Sequence, residues 1–217
     1  MDIYSTIVRF FQDGGLFMYP IVLVLALGLA IAIERYVFLS MSGTSNRRLW
    51  KKIAPLLQSG SYSQAQSITA KSKTAVASIL SYGFDRIKSA RRRDDVEKAM
   101  EESMMEVLPR LEKRTHYLAT FANLATLLGL LGTIIGLIKA FTAVASANPA
   151  EKADLLSASI SVAMNTTAFG LMVAIPLLLM HTVLTTKTSE LIDSLEMASV
   201  KFLNSIVERD HVKGNAQ

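Results

Sequence analysis

The chain has 217 residues, of which 51% are hydrophobic and only 19% are charged, and its formal net charge is +5. A soluble domain carries about 25% charged residues, so the apolar excess favours a membrane protein over one large soluble core. The sequence contains no cysteine, which excludes disulfides, thiolate metal sites and a cysteine nucleophile. Its histidines, His116, His181 and His211, are too scattered for a metal motif, so neither a metal nor another cofactor is expected.

Three long uncharged stretches divide the chain. Residues 14–33 form a stretch of 20 uncharged residues, residues 115–138 one of 24, and residues 155–186 one of 32. A helix rises about 1.5 Å per residue, so 20 residues span about 30 Å, the thickness of the hydrocarbon core of a bilayer. The sequence therefore predicts an all-α membrane protein with three transmembrane helices.

The distribution of basic residues predicts the orientation. Residues 40–116 hold 15 of the 23 lysines and arginines, whereas the first 15 residues hold only Arg9. By the positive-inside rule, the large loop and the C-terminal tail are cytoplasmic and the N-terminus is periplasmic. The predicted order is a periplasmic segment at 1–15, transmembrane helices at 16–39, 117–147 and 155–186, a cytoplasmic helical loop at 40–116, a periplasmic turn at 148–154, and a cytoplasmic C-terminal helix and tail at 187–217.

The two cytoplasmic parts are predicted to be helical. Residues 61–90 lack proline and should form helix that is interrupted only at Gly83. A second helix from Asp94 should run without a clear stop into the second span, bent or loosened at Pro109. The third span should extend beyond the membrane, because apolar residues keep helical spacing as far as Ile206. Neither part is large enough for a core of its own, so we expect long helices that continue into a shared helical bundle.

The basic run Ala90-Arg-Arg-Arg-Asp resembles a nucleic-acid patch only superficially. It has no aromatic residues between the arginines, and the same loop carries eight acidic residues. We therefore expect no nucleic-acid binding and assign the basic excess to membrane topology.

The second span carries a stripe of small residues. Its members alternate steps of three and four, which places them on one helix face. In lipid, small residues at this spacing let another helix approach closely. One interpretation is tight packing within the chain, and the other is a face that points inward in a symmetric ring. The stripe consists of Ala119, Ala122, Thr126, Gly129, Thr133, Gly136, Ala140, Ala143 and Ala147.

The third span places polar residues at mid-membrane. Asn165, Thr166 and Thr167 are consecutive, and His181 follows two heptads after Thr167 on the same side. Hydroxyls within a bilayer often bond only to their own helix backbone, but beside a small-residue face they can also hydrate a path for ions. No acidic residue lies inside any span, so a titratable carboxyl would have to come from a partner.

Two stretches resemble a known family. Gly129-Leu-Leu-Gly-Thr-Ile-Ile-Gly-Leu-Ile-Lys-Ala-Phe141 and Ala163-Met-Asn-Thr-Thr-Ala-Phe-Gly-Leu-Met-Val-Ala-Ile-Pro176 are similar to the two signature stretches of the MotA/TolQ/ExbB family. The closest branch is ExbB and TolQ. The order of the spans, the large loop and the charged tail extend the resemblance over essentially the whole chain.

The resemblance implies a ring-forming homo-oligomer of five copies around single-span partner helices of the ExbD/TolR type. The partner supplies the essential membrane aspartate, which agrees with the absence of acids from these spans. Thr133 and Thr167 match the two threonines that face this aspartate. The family's packing positions correspond to Gly129, Gly132, Gly136, Gly170 and Pro176.

The chain departs from the family pattern at two places. Val162 stands where ExbB and TolQ commonly carry a glutamate, which calls a relay through a ring of glutamates into question. His181-Thr182 stands where a Tyr-Asn pair is common, and the choice between H⁺ and Na⁺ stays open.

These features together predict a channel-forming subunit of an ion-driven motor in the bacterial inner membrane, and not an enzyme. The motor would use the proton motive force to energise TonB-dependent transport or a Tol-like envelope process, through the ExbD/TolR-type subunit and a TonB- or TolA-like protein. Alternatives are a MotA-like stator for motility and a passive membrane scaffold. The predicted ion path comprises Thr133, Thr167, Asn165, Thr166 and His181, and the predicted packing and pore-lining positions are Thr126, Gly129, Gly132, Gly136, Ala140, Ala163, Gly170, Ala174 and Pro176.

Overall fold

The computed structural model describes residue 10, residues 14–87 and residues 92–214, with side chains described as far as residue 206. This part of the chain is helical and contains no strand. Most of the predicted segment 1–15, the first two residues of the basic run that begins at Ala90, and the side chain of His211 lie outside the described residues. The helices are α1 (Met18–Gln58), α2 (Tyr62–Ala70), α3 (Ala75–Ile87), α4 (Arg93–Glu112), α5 (Thr115–Ser146) and α6 (Lys152–Gly214).

Three of these helices, α1, α5 and α6, are long and apolar enough to cross a membrane. Their most apolar windows have a mean hydropathy of 2.0 to 2.2. Large apolar side chains such as Leu127, Ile138 and Leu179 are exposed on them, a surface suited to lipid rather than water. The chain is therefore an all-helical membrane protein with three candidate transmembrane helices.

The chain divides into two compact units. The first, called here the membrane unit, comprises Met1–Glu34 and Arg114–Val183, and therefore contains the start of α1, all of α5 and the first part of α6. Its interior is built from small and branched residues, including Ala125, Val173 and Leu177.

The second unit, called here the bundle unit, comprises Arg35–Lys113 and Leu184–Gln217. Its apolar core joins residues of α1, α3 and α4 to residues of α6, so the loop and the tail share one core, as the sequence predicts. The rings of Phe84 and Phe202 meet edge to face with centroids 4.8 Å apart. The Tyr62 hydroxyl also donates to the carbonyl of Ser205 at 2.6 Å, which ties α2 to α6.

The expected continuous helix from Asp94 into the second span is wrong. Helix α4 ends at Glu112, and α5 begins at Thr115 after Arg114 adopts the left-handed conformation with φ +67°. The break does not occur at Pro109, which remains inside α4. The buried Arg35 guanidinium donates to the carbonyls of Arg110 and Leu111, which satisfies acceptors that the end of α4 leaves without helical partners.

The expected interruption of residues 61–90 at Gly83 is also wrong, because the helix breaks at residues 71–74 instead. The amide of Val76 donates to Asn46 Oδ1 at 3.1 Å, and this contact caps the start of α3. Gly83 lies buried inside α3, where a Cβ would approach Phe202 Cε1 to 2.6 Å. The glycine is therefore a packing requirement and not a break.

Candidate functional site

Small residues bring α5 and α6 together inside the membrane unit. A Cβ at Gly129 would lie 3.2 Å from the Cα of Thr167, and one at Gly136 would lie 2.9 Å from the Cβ of Ala163. A Cβ at Gly170 would lie 2.6 Å from the carbonyl oxygen of Ala125. Backbones at this separation leave no room for larger side chains, and the close approach brings polar groups on the two helices within reach of each other.

The hydroxyls of Thr133 and Thr167 meet at this contact. Their Oγ1 atoms are hydrogen-bonded to each other. Thr133 Oγ1 also lies 3.2 Å from the carbonyl oxygen of Gly129 and 3.3 Å from that of Ala163, while Thr167 Oγ1 lies 3.0 Å from the Gly129 carbonyl oxygen.

Each of these hydroxyls has more acceptors than it has protons. A threonine hydroxyl carries one donor proton and two lone pairs, so the pair cannot make every one of these bonds at once. Either hydroxyl can donate to its neighbour or to a carbonyl, and both side chains are only half-buried. The pair can therefore rearrange to give or accept a hydrogen bond when a third polar group arrives.

The other predicted ion-path residues are not part of this contact. Thr166 is 2% exposed, and its Oγ1 lies 2.6 Å from the carbonyl oxygen of Gly14 and 3.0 Å from that of Val162. Asn165 is half-buried and makes no hydrogen bond with the described part of the chain through its side chain. His181 lies 14 residues beyond Thr167 on one continuous helix, about 21 Å along its axis.

An ion pair lies beside the start of α5. Glu34 and Arg114 form a half-exposed ion pair at 3.6 Å, and charged groups of this kind favour the membrane surface. Thr133 lies 19 residues beyond Arg114, about 28 Å along α5.

Most of the predicted packing positions are in contact within the chain. Gly132 lies against the side chains of Thr166 and Phe17, and the buried positions also include Gly129, Ala140, Ala163, Gly170 and Ala174. Thr126 and Pro176 are exposed instead. The centre of the small-residue stripe packs within one chain, and the interpretation as an inward face of a symmetric ring stays a prediction.

Several neighbours of the site are not apparent from the sequence. Residues 14–17 pack against α5 and α6, and the Cγ1 of Val162 would lie 3.2 Å from a Cβ placed on Gly15. In α1, a Cβ at Gly28 would meet the Leu177 side chain at 2.7 Å. The one sequence signal for these contacts is the presence of the glycines themselves. Their spacing along the chain does not identify the side chain that each glycine contacts.

The described residues contain no group of three or more His, Asp or Glu side chains that could hold a metal ion. The site itself brings together hydroxyls and carbonyls that face each other across two helices, and these groups can form hydrogen bonds and solvate a polar group.

Residues 71–197 match the model of the MotA/TolQ/ExbB proton channel family. Over 219 aligned positions the chain is 29% identical to an ExbB homolog from Methanothermobacter thermautotrophicus, covering 99% of this chain and 76% of that protein. It is 30% identical over 189 positions to an ExbB-like protein from Synechocystis, covering 84% and 72% of the two chains. A shorter match, 45% over 53 positions, covers 24% of this chain and 23% of biopolymer transport protein exbB1 from Vibrio cholerae. The chain belongs to the MotA/TolQ/ExbB proton channel family, and this membership supports a role as a membrane ion channel subunit.

Proposed function

We propose that this chain is the channel-forming subunit of an ion-driven motor in the bacterial inner membrane. Five copies form a ring around a single-span subunit of the ExbD/TolR type, which carries an aspartate within the membrane. Ion flow past that aspartate, driven by the proton motive force, moves the partner and transmits force to the periplasm. The chain is oriented with a periplasmic N-terminus and a cytoplasmic C-terminus.

The observation that carries this proposal is the hydroxyl pair of Thr133 and Thr167. The pair sits on two helices whose uncharged stretches contain no acid. A group that titrates is needed to carry a proton through a membrane, and hydroxyls can bond to a carboxyl in both of its protonation states. This chain therefore supplies the hydroxyls and the partner supplies the carboxyl.

Exposed polar side chains in α5 support an assembly with further helices. Asn123 and Thr126 are both exposed and lie three residues apart, on one face of the helix. They follow Arg114 by nine and twelve residues, about 14 and 18 Å into the span. The Thr126 hydroxyl donates to the Ala122 carbonyl of its own helix at 3.1 Å. The side-chain amide of Asn123 is costly against lipid at that depth, so this face is expected to meet another subunit or a hydrated lumen.

The relatives named as ExbB homologs and as a biopolymer transport protein favour an output in TonB-dependent transport. The force would pass through a TonB-like protein, or through a TolA-like protein in a Tol-like envelope process. A MotA-like stator would show the same ion flux but would drive motility. A passive scaffold would show no flux at all.

The test is purification of the chain with its bound proteins from native membranes, followed by native mass spectrometry. We expect five copies of this chain with one or two copies of a small protein that has one span and a membrane aspartate. In proteoliposomes that carry an imposed proton gradient and a pH-sensitive dye, the complex should conduct protons. A monomeric chain, or an intact complex without flux, would contradict the motor.

A further inference from the structure

A cavity of about 620 Å³ lies in the bundle unit beside the start of α3. Its walls come from α1, from the break between α2 and α3, and from α3 and α4. Small-molecule sites typically measure about 300–1,000 Å³, so the volume is sufficient for a ligand. Seven of its fourteen lining residues carry a hydroxyl: Ser42, Ser45, Ser72, Thr74, Ser78, Ser81 and Tyr82.

The charge of the lining is positive. Lys73 and Arg110 line the cavity, and its described lining contains no aspartate or glutamate. A second cavity of about 640 Å³ in the same unit also has two basic lining residues, Arg47 and Lys187, but Glu190 lies beside them. The first cavity therefore combines cations and neutral donors with no carboxylate among its described lining residues, which favours an anion. Glu106, whose carboxylate lies 3.4 Å from the hydroxyl of the lining residue Tyr82, is not itself part of the lining.

Local hydrogen bonds hold the polar wall in place. Thr74 Oγ1 accepts a hydrogen bond from the amide of Ala77 at 3.3 Å and lies 3.2 Å from Ser72 Oγ. The amide of Thr74 in turn donates to Ser72 Oγ at 3.4 Å. The break between α2 and α3 is thus organised around the first turn of α3, whose dipole adds a partial positive charge on the same side.

The remaining wall is apolar. Phe38 and Met41 are exposed there, whereas Val107 and Leu111 are buried behind them. Phe38 belongs to residues 16–39, which the sequence predicts to span the membrane, so the apolar wall is expected at the membrane surface. The lining therefore combines polar and cationic groups with apolar side chains, of which Phe38 is expected to lie next to lipid.

We propose that this cavity binds a phosphate-bearing anion, with Lys73 and Arg110 as its charged ligands. The planar guanidinium of arginine matches phosphate oxygens in a fork, and the lysine ammonium acts as a point charge. The phosphate belongs either to the headgroup of an anionic phospholipid that enters from the membrane surface or to a soluble phosphate ester. The site lies in a different unit from the hydroxyl pair and does not depend on ion flow.

Titration of the purified full-length protein in neutral detergent distinguishes the two sources. The probes are dioctanoyl phosphatidylglycerol, dioctanoyl phosphatidylcholine with the same chains but no net charge, and glycerol 3-phosphate. We expect phosphatidylglycerol to bind at least tenfold more tightly than phosphatidylcholine, and the double variant K73Q/R110Q to lose about tenfold in that affinity. The matched control, K71Q/R48Q, removes the same charge from exposed positions outside the cavity and should bind as the wild type does.

Binding of phosphatidylglycerol alone, lost in K73Q/R110Q, would assign the site to a lipid headgroup. Binding of both phosphatidylglycerol and glycerol 3-phosphate, with both lost in the variant, would extend it to soluble phosphate esters. A second variant, S45E, places a carboxylate in the wall at an exposed helix position and should abolish binding without lowering the melting temperature. Binding of glycerol 3-phosphate alone, lost in K73Q/R110Q, would assign the site to a soluble phosphate ester. Equal affinity for the two lipids together with no binding of glycerol 3-phosphate, full binding by S45E, or an equal loss in K71Q/R48Q would overturn the proposal.

Discussion

The Thr133 hydroxyl on α5 is hydrogen-bonded to the Thr167 hydroxyl on α6, although 34 residues separate them in the sequence. The contact exists because glycines at 129 and 170 allow the two helix backbones to approach closely. It places two rearrangeable hydroxyls together between two helices whose uncharged stretches carry no acid.

Replacement of either hydroxyl by a methyl group should abolish ion-driven work while the complex remains intact. Valine has nearly the shape of threonine but lacks the hydroxyl, so Thr133→Val and Thr167→Val test the chemistry alone. The measurement is proton flux in proteoliposomes, with recovery of the complex on purification as the check on assembly. Thr142→Val is the matched control, because Thr142 is exposed and its hydroxyl bonds only to the Ile138 carbonyl of its own helix. Full flux in both site variants would reduce the pair to a packing contact.

Thr166→Val should act on packing and not on the ion path. Its buried hydroxyl donates to the carbonyl of Gly14 or of Val162, and loss of a buried hydrogen bond typically costs about 1–3 kcal/mol when an acceptor is left unsatisfied. We expect a lower melting temperature in detergent with flux per folded complex close to that of wild type. A loss of flux without a change in melting temperature would return Thr166 to the ion path.

A methyl group on Gly170 should destabilise the membrane unit. Alanine is the better helix former by about 1 kcal/mol, but its Cβ would lie 2.6 Å from the backbone oxygen of Ala125, which cannot move alone. We expect Gly170→Ala to lower stability by about 1–3 kcal/mol, the usual range for overpacking, as measured by thermal unfolding in detergent. In the control Gly43→Ala, the nearest atom is the terminal Cδ1 of Leu191 at 3.1 Å, which can shift. A Gly170→Ala protein as stable as wild type would contradict the close approach of the two backbones.

Glutamate at position 162 should impair assembly. Val162 packs against residues 14–15 of the same chain, and a carboxylate there would cost several kcal/mol or remain protonated. We expect Val162→Glu to lower the yield of folded oligomer in size-exclusion chromatography, while Val162→Ala assembles normally. Normal assembly of Val162→Glu would instead place this position beside a hydrated lumen.

Arg35 should be essential for the end of α4. The side chain is only 3% exposed and donates to the carbonyls of Arg110 and Leu111. Arg35→Met keeps much of the apolar volume but leaves those carbonyls without their donor, a loss of about 1–3 kcal/mol. Thermal unfolding should show this loss, and Arg48→Met at an exposed position should not. Unchanged stability of Arg35→Met would mean that water or the backbone satisfies the helix end equally well.

Glu106 raises the pKa of Tyr82 above its usual value of 10.0, chiefly through its negative charge at 3.4 Å. Because the pKa is raised in the folded state, the protonated Tyr82 phenol contributes to the free energy of unfolding. This contribution is fully present below pH 10 and is lost as the pH rises past the folded-state pKa. Glu106→Gln should lower the pKa of Tyr82, measured by titrating the phenolate signal. Comparison with Tyr82→Phe identifies the part of that signal that belongs to Tyr82. An unchanged titration curve in Glu106→Gln would contradict the electrostatic cause.

Local patterns in the sequence determined the three spans, the all-helical class and the family. Uncharged runs of 20 residues or more need no tertiary information to be recognised, because the bilayer sets their length. The small residues around Gly129 and Gly170 also predicted a close helix contact without tertiary information, because spacing alone determines which residues share a helix face.

The family resemblance already selected Thr167 from the consecutive set Asn165, Thr166 and Thr167, and only the tertiary structure decided that its hydroxyl bonds directly to that of Thr133. Neighbouring residues point about 100° apart around a helix, and the rotation of α6 against α5 depends on packing at Gly129 and Gly170.

The same holds for the helix boundaries. Pro109 is a local signal for a break, yet the break falls at Arg114, while the Arg35 side chain, more than 70 residues away in sequence, satisfies the carbonyls at the end of α4. Gly83 is a local signal too, yet it remains helical because the Phe202 ring occupies the space beside it. Helix periodicity is a property of neighbouring residues, whereas the stopping points of these helices depend on side chains from distant parts of the chain.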